Sequence, residues 1–219
     1  MKKYLLAVLV AASVTACGTI NSSVKASQAQ AQGASLVPAV KSLFDASFVA
    51  PNLHLSSYKK IKINDLDLSN VKIIKPRSEH LSDAPWELNN DDKKYYQEKF
   101  LAAAKENLTA NKLFVDAADV GADTLELKTK IVEIAPLASK DDSKGRPNYM
   151  DVYTRGFGRM NIVFELYDSK TNQLVMLVND DHDLGDQWEK NDRVRTNVQI
   201  RLAFDHWFAH LQNEVKAHQ

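Results

Sequence analysis

Hydrophobic positions along the chain change period several times, and each change predicts an element. Residues 4–14 are almost wholly apolar, whereas GTINSSVKASQAQAQGAS, residues 18–35, has no apolar period. The second stretch predicts a flexible tether. Leu36, Val37, Val40, Leu43 and Phe44 then cluster before Pro51 and predict a helical turn or two. Ile61 and Ile63 alternate in one phase and Leu66 and Leu68 in the other, which predicts a strand with a bulge between the pairs. A loop-like stretch with Pro76 and Pro85 follows. Asp91 and Asp92 sit where a helix N-terminus favours negative charge. Tyr96, Phe100, Ala103 or Ala104, and Leu108 then recur at helical spacing.

Leu113 to Val115 predict a short strand. Leu125, Leu127, Thr129 and Ile131 alternate with charged residues, as do Met160, Ile162, Phe164 and Leu166 with their neighbours; YDSKTNQ turns the chain into a further strand at Leu174–Val178. Val194, Val198, Leu202, Phe204, Trp207, Phe208, Leu211 and Val215 form an amphipathic helix, capped near Asn191 or Asp192. This order predicts an α+β fold: a mainly antiparallel sheet of about four to five strands with two helices packed on one face. The expected organisation is a signal peptide at 1–16, an anchored tether and short apolar segment at 17–50, and a single domain at 51–219.

Composition changes the picture chiefly at the N-terminus. Met1, Lys2 and Lys3 precede the apolar run, and small residues follow it, the order of a secretory signal peptide. The run is too short to span a bilayer, which takes about 20 apolar residues. The chain's one cysteine, Cys17, stands directly after Val14-Thr15-Ala16, and these four residues resemble the lipobox of bacterial lipoproteins. The resemblance implies cleavage before Cys17, a diacylglycerol on its sulfur and an acyl chain on its new amine. That lipid is the expected covalent group, with no other cofactor, and the membrane is an expected partner. Multiple acyl chains anchor stably where one does not. Gly18 rather than aspartate follows the cysteine, and resemblance to sorted lipoproteins implies the outer membrane, with the domain facing the periplasm. A tether of residues 18–35 would let the domain stand roughly 25 Å off.

The whole chain carries 28 basic and 28 acidic residues; loss of Lys2 and Lys3 leaves the mature form at about −2. Such a balance argues against nucleic acid as a partner, which asks for a basic stripe.

From Tyr58 onward, LSSYKKIKINDLDL, VFELYDSKTNQLV and NVQIRLAFDHWFAHLQNEV resemble a family of uncharacterised bacterial lipoproteins, domain-of-unknown-function family 3313. The resemblance implies a bacterial envelope lipoprotein and transfers no catalytic residue.

Chemistry-bearing residues are most concentrated in NDDHDLGDQWEKND, residues 179–192. Asp181, His182, Asp183 and Asp186 are candidate metal ligands there, and the basis of an alternative reading as a metal-dependent hydrolase of cell-wall or lipid material. Alternate strand residues share a face, so Asp181 and Asp183 are expected on one side and Asp180 with His182 on the other. That leaves fewer than the three or four ligands a metal centre wants. His206 and His210 lie four apart on the last helix, in HWFAH, where packing is expected. The stretch from 137 to 156 is long for a connection between strands, and such lengths are often functional. It holds Arg146, Tyr149, Tyr153 and Arg155. Strand direction places it at the same end of the sheet as Trp188. Those five residues are the expected contact with an envelope protein or a cell-wall component, with peptidoglycan or another glycan as a further alternative. The leading expectation is a non-catalytic accessory module.

Overall fold

The computed structural model describes residues 22–74, 86–137, 151 and 153–219. Along the chain lie α1 (Ser22–Gly33), β1 (Val37–Pro38), β2 (Ala46–Val49), β3 (Lys60–Asp67), β4 (Lys72–Ile73), α2 (Asn90–Ala104), β5 (Val115–Asp116) and β6 (Thr124–Pro136). They are followed by β7 (Tyr153–Arg155), β8 (Gly158–Asp168), β9 (Gln173–Asp183), β10 (Trp188–Lys190) and α3 (Arg193–Ala217). The main sheet has eight strands, ordered β1-β2-β9-β8-β6-β3-β5, with β4 also on β6. β7 and β10 form a separate two-stranded ribbon.

The fold is α+β as expected, but the sheet is larger than four or five strands and is mixed. β3 pairs in parallel with both β5 and β6, and β4 pairs in parallel with β6. The parallel pairing follows from the crossover: the chain leaves β3, passes through α2 and re-enters on either side of β3, and a helical crossover returns the chain in the same direction. The remaining pairs are antiparallel.

The phase change in β3 is a real irregularity of register, between Ile63 and Leu66. There the Leu66 N–H donates to Gln97 Oε1 at 2.8 Å, and Gln97 Nε2 donates to Asp65 Oδ1 at 2.8 Å. A side chain of α2 thus satisfies an amide that the bulge takes from the ladder. At the start of α2, Asn89 and Asp92 exchange side-chain-to-backbone bonds of 2.9 Å in a reciprocal cap. Asp192 caps α3 by accepting from Arg195 N–H at 2.8 Å.

α2 and α3 lie together on one face. Tyr96, Phe100, Phe204, Trp207, Phe208 and Leu211 pack there with Ile162, Phe164, Met176 and Val178 of the sheet. The third helix, α1, corrects two expectations. Residues 18–35 are not all tether, and the helices do not all share one face. α1 covers the other side of β8 and β9, where Ala31 and Leu36 join Phe48, Val163, Leu174 and Leu177. Its buried positions are Ser23, Ser27 and Ala31, a narrow stripe of small residues at four-residue spacing. Beneath it, Asn179 Nδ2 donates to Ser27 Oγ and Asn161 Nδ2 to Asn179 Oδ1, each at 2.9 Å. Gln30 Nε2 donates to Glu165 Oε1 at 3.0 Å.

The segment from Leu36 to Phe44 likewise gives no helical turn; it leads into β1 and β2, and β2 pairs with β9 from Ala46 opposite Asn179 to Val49 opposite Met176. The folded unit therefore includes residues that the sequence assigned to the anchor segment before residue 51.

Candidate functional site

At the end of the sheet where β9 finishes and β8 begins, the chain doubles into the β7–β10 ribbon. Trp188 stands opposite Arg155, Glu189 opposite Thr154, and Lys190 opposite Tyr153. Opposed residues of an antiparallel pair point to the same side, and alternate residues along a strand share it. Trp188, Arg155, Lys190 and Tyr153 therefore form one face, with Thr154 and Glu189 behind. Thr154 is buried and gives its hydroxyl to Gly156 O at 2.8 Å, while Glu189 Oε1 accepts from Gln199 of α3 at 3.3 Å. On the outward face Trp188 is 71% exposed and Tyr153 60%.

Two glycines hold the ribbon against the sheet end. Gly156, at φ +72°, leaves no room for a Cβ, which would lie 2.1 Å from Gly185 O. Gly158, at φ +117°, would place one 2.3 Å from Ala135 O. Positive φ and backbone-to-backbone approach both demand glycine at these positions. The Phe157 between them is buried, its N–H donating to Leu184 O at 2.8 Å, and Leu184 N–H donates to Gly158 O at 2.7 Å. Arg155 Nε donates to Asp186 O at 3.2 Å, and Lys190 pairs with Asp151 at 2.6 Å. Beside the ribbon runs an open groove of 390 Å³, lined by Leu137, Arg155, Arg159, Asp183 and Asp186 among others.

The structure brings Tyr153, Arg155 and Trp188 onto one surface. Arg146, Tyr149 and Cys17 lie outside the described residues. The candidate metal set does not converge. Asp181 shares its face of β9 with Asn179 and forms an ion pair with Arg159 at 3.6 Å, whereas His182 points to the α3 side and Asp186 lies in the turn beyond. Among the described residues no group of three or more His, Cys, Asp and Glu is placed to hold a metal ion.

A second polar cluster lies on the α3 side of β9. Asp180, 6% exposed, accepts from Trp207 Nε1 at 2.9 Å and from Asp45 N–H at 3.0 Å. Burial pushes its carboxyl up to about 6, against those two hydrogen bonds. His182 stacks on His206 with ring centroids 4.5 Å apart, and His206 lies 3.9 Å from His210. Burial holds His182 below the ordinary imidazole value; Asp183 opposes that and His210 adds to it. Burial also lowers His206, followed by the neighbouring His210 and His182. The helical spacing of His206 and His210 was visible in the sequence. Their meeting with His182 required the register of α3 on β9.

The family model described as "Protein of unknown function (DUF3313)" matches residues 25–211. The chain belongs to this family. The match begins inside α1 and ends in α3, so the DUF3313 unit includes most of α1, the ribbon and the histidine cluster alike. No curated protein matches the chain.

Among solved structures, the PelC dodecamer from Paraburkholderia phytofirmans is similar at 11% identity, with 76% of this chain and 94% of that one covered and a TM-score of 0.40. A minor lipoprotein from Acinetobacter baumannii is similar at 15% identity, with coverages of 73% and 94% and a TM-score of 0.37. A DUF330 protein from Xanthomonas campestris gives 11% identity, 80% and 90%, and 0.41. Among the described residues of the DUF3313 chain, no helix is long and apolar enough to cross a membrane.

Proposed function

We propose that the mature chain is an outer-membrane lipoprotein, anchored by lipid on Cys17, whose domain faces the periplasm and acts as a non-catalytic binding module. The observation that carries the binding reading is the outward face of the ribbon. Trp188 and Tyr153 are large and exposed, Arg155 and Lys190 lie between them, and glycine contacts fix their backbone to the sheet. Exposed aromatics with arginine on a rigid support are the residue types that carry binding energy at contact surfaces. The anchor reading rests on the basic, apolar and small-residue order that ends at Cys17.

Labelled palmitate is expected in the wild-type protein and not in Cys17→Ser, and density fractionation is expected to place the wild type with the outer membrane. Recovery with the inner membrane would contradict the sorting part. For the contact face, a photoreactive residue at Trp188 or at Tyr153 is expected to give a discrete adduct in living cells, with none from Lys128 on β6. Mass spectrometry of the adduct would tell protein, glycan and lipid apart. An equal smear from all three positions would remove the ribbon as the contact.

A further inference from the structure

The direction of α1 fixes which end of the domain the anchor holds. Ala31 packs with Leu174 and Leu177, near the start of β9, whereas Ser27 bonds to Asn179, further along it. α1 therefore runs against β9, and its N-terminus lies level with Asp181 and Asp183, at the end of the sheet that carries the ribbon. α3 gives the same direction on the opposite face, since its early part lies beside Gly185 and its later residue Glu214 accepts from Ser47 of β2.

Ser22 follows Cys17 by five residues. A fully extended chain of that length reaches at most about 17 Å. β9 has eleven residues, so its far end lies about 33 Å from the ribbon end at ~3.3 Å per residue. An acylated Cys17 thus holds the ribbon end against the bilayer and leaves no long standoff.

That end exposes Trp188 and Tyr153, together with Leu137 at the end of β6 and Val194 in the first turn of α3. Trp and Tyr favour the headgroup layer, where an apolar ring meets a wet edge, and Arg and Lys extend their charged heads from apolar stems into the same zone. We propose that the β7–β10 face is a membrane-surface contact, with Trp188 and Tyr153 seated in the headgroup layer of the bilayer that holds the Cys17 lipid. This rests on the reading of Cys17 as acylated, and it names the lipid surface as the component the ribbon binds. The short link selects this occupant, because it keeps the ribbon at the membrane whatever else the domain meets.

The test uses the full lipoprotein, purified from membranes with its lipid and reconstituted in phosphatidylethanolamine–phosphatidylglycerol vesicles. With the sulfur of Cys17 occupied, a cysteine placed by Trp188→Cys, Tyr153→Cys or Lys170→Cys is the one free thiol for an environment-sensitive fluorophore. Lys170 lies in the β8–β9 turn at the far end of the sheet. Headgroup-level spin-labelled lipid is expected to quench the label at 188 and at 153 severalfold more than at 170. Equal quenching at the three positions, with mass spectrometry confirming the acyl chains on Cys17, would overturn the membrane contact and leave the anchor reading standing. An unmodified Cys17 would overturn both.

Discussion

The clearest consequences at the scale of single residues concern protons. His182 and His206 fold more readily as neutral rings, because burial holds both below the ordinary value of 6.5. The stability they contribute is whole above that pH and is lost as acid drives protons onto them in the unfolded chain first. Asp180 acts in the opposite sense. Its carboxyl is raised from 3.8 to about 6, so it is most easily buried when protonated, and the cost of its charge is full above about pH 6. The two slopes oppose one another as the pH falls below about 6, and further into acid the carboxyls of Glu165, Asp168 and Asp192, all held below their ordinary values, add to the loss. In urea melts a protein carrying His182→Asn and His206→Asn is expected to lose less stability than the wild type between pH 6.5 and about 5.5, because the histidine slope is removed while the Asp180 slope stays. A double variant with the wild-type profile would show that these rings do not govern it.

Elements differ in how plainly the sequence announces them. β6 and β8 declare themselves by alternation and β9 by the apolar run Leu174–Val178 after a turn, and the bulge in β3 shows as a change of phase between Ile63 and Leu66. α1 is silent, since the stripe it buries is Ser23, Ser27 and Ala31 and the surface beneath it is built from Asn161, Asn179 and Glu165. A helix held by small residues and side-chain hydrogen bonds has no hydrophobic period to read. The ribbon is equally hard to foresee. Its convergence on Trp188 follows from strand direction, but its pairing of three residues depends on close approaches of Gly156 and Gly158 that spacing alone does not specify. The polar seam under α1 yields a prediction. Asn179→Val strands the Ser27 hydroxyl and one of the two Asn161 amide hydrogens, the other partner of that amide being Asp180 O at 3.1 Å, at a cost of about 1–3 kcal/mol in a urea melt. Hydrogen exchange in α1 is expected to accelerate more than in α3; equal effects on both helices would mean that the seam does not hold α1 in place.

Taken as a whole, the molecule depends on its N-terminal fifty residues more than their composition suggests. β2 covers the edge of β9, Asp45 accepts from Asp181 N–H at 3.0 Å, and Ser47 gives the buried Glu214 a 2.7 Å hydrogen bond. A chain beginning at residue 51 loses all three and bares a long apolar strand edge, the kind that recruits other chains. It is expected to aggregate on size-exclusion chromatography, while a chain beginning at residue 22 is expected to elute as a compact species and melt in one transition. The pairing of β2 with β9 also sets an order in time. β8 and β9 close on each other across a short turn, but Ala46 cannot find its place until Asn179 has arrived, and contacts so distant along the chain form late. A chain emerging N-terminus first therefore leaves α1 and β2 undocked until β9 has followed, so the processing proposed at Cys17 would act before the domain closes on its N-terminal elements.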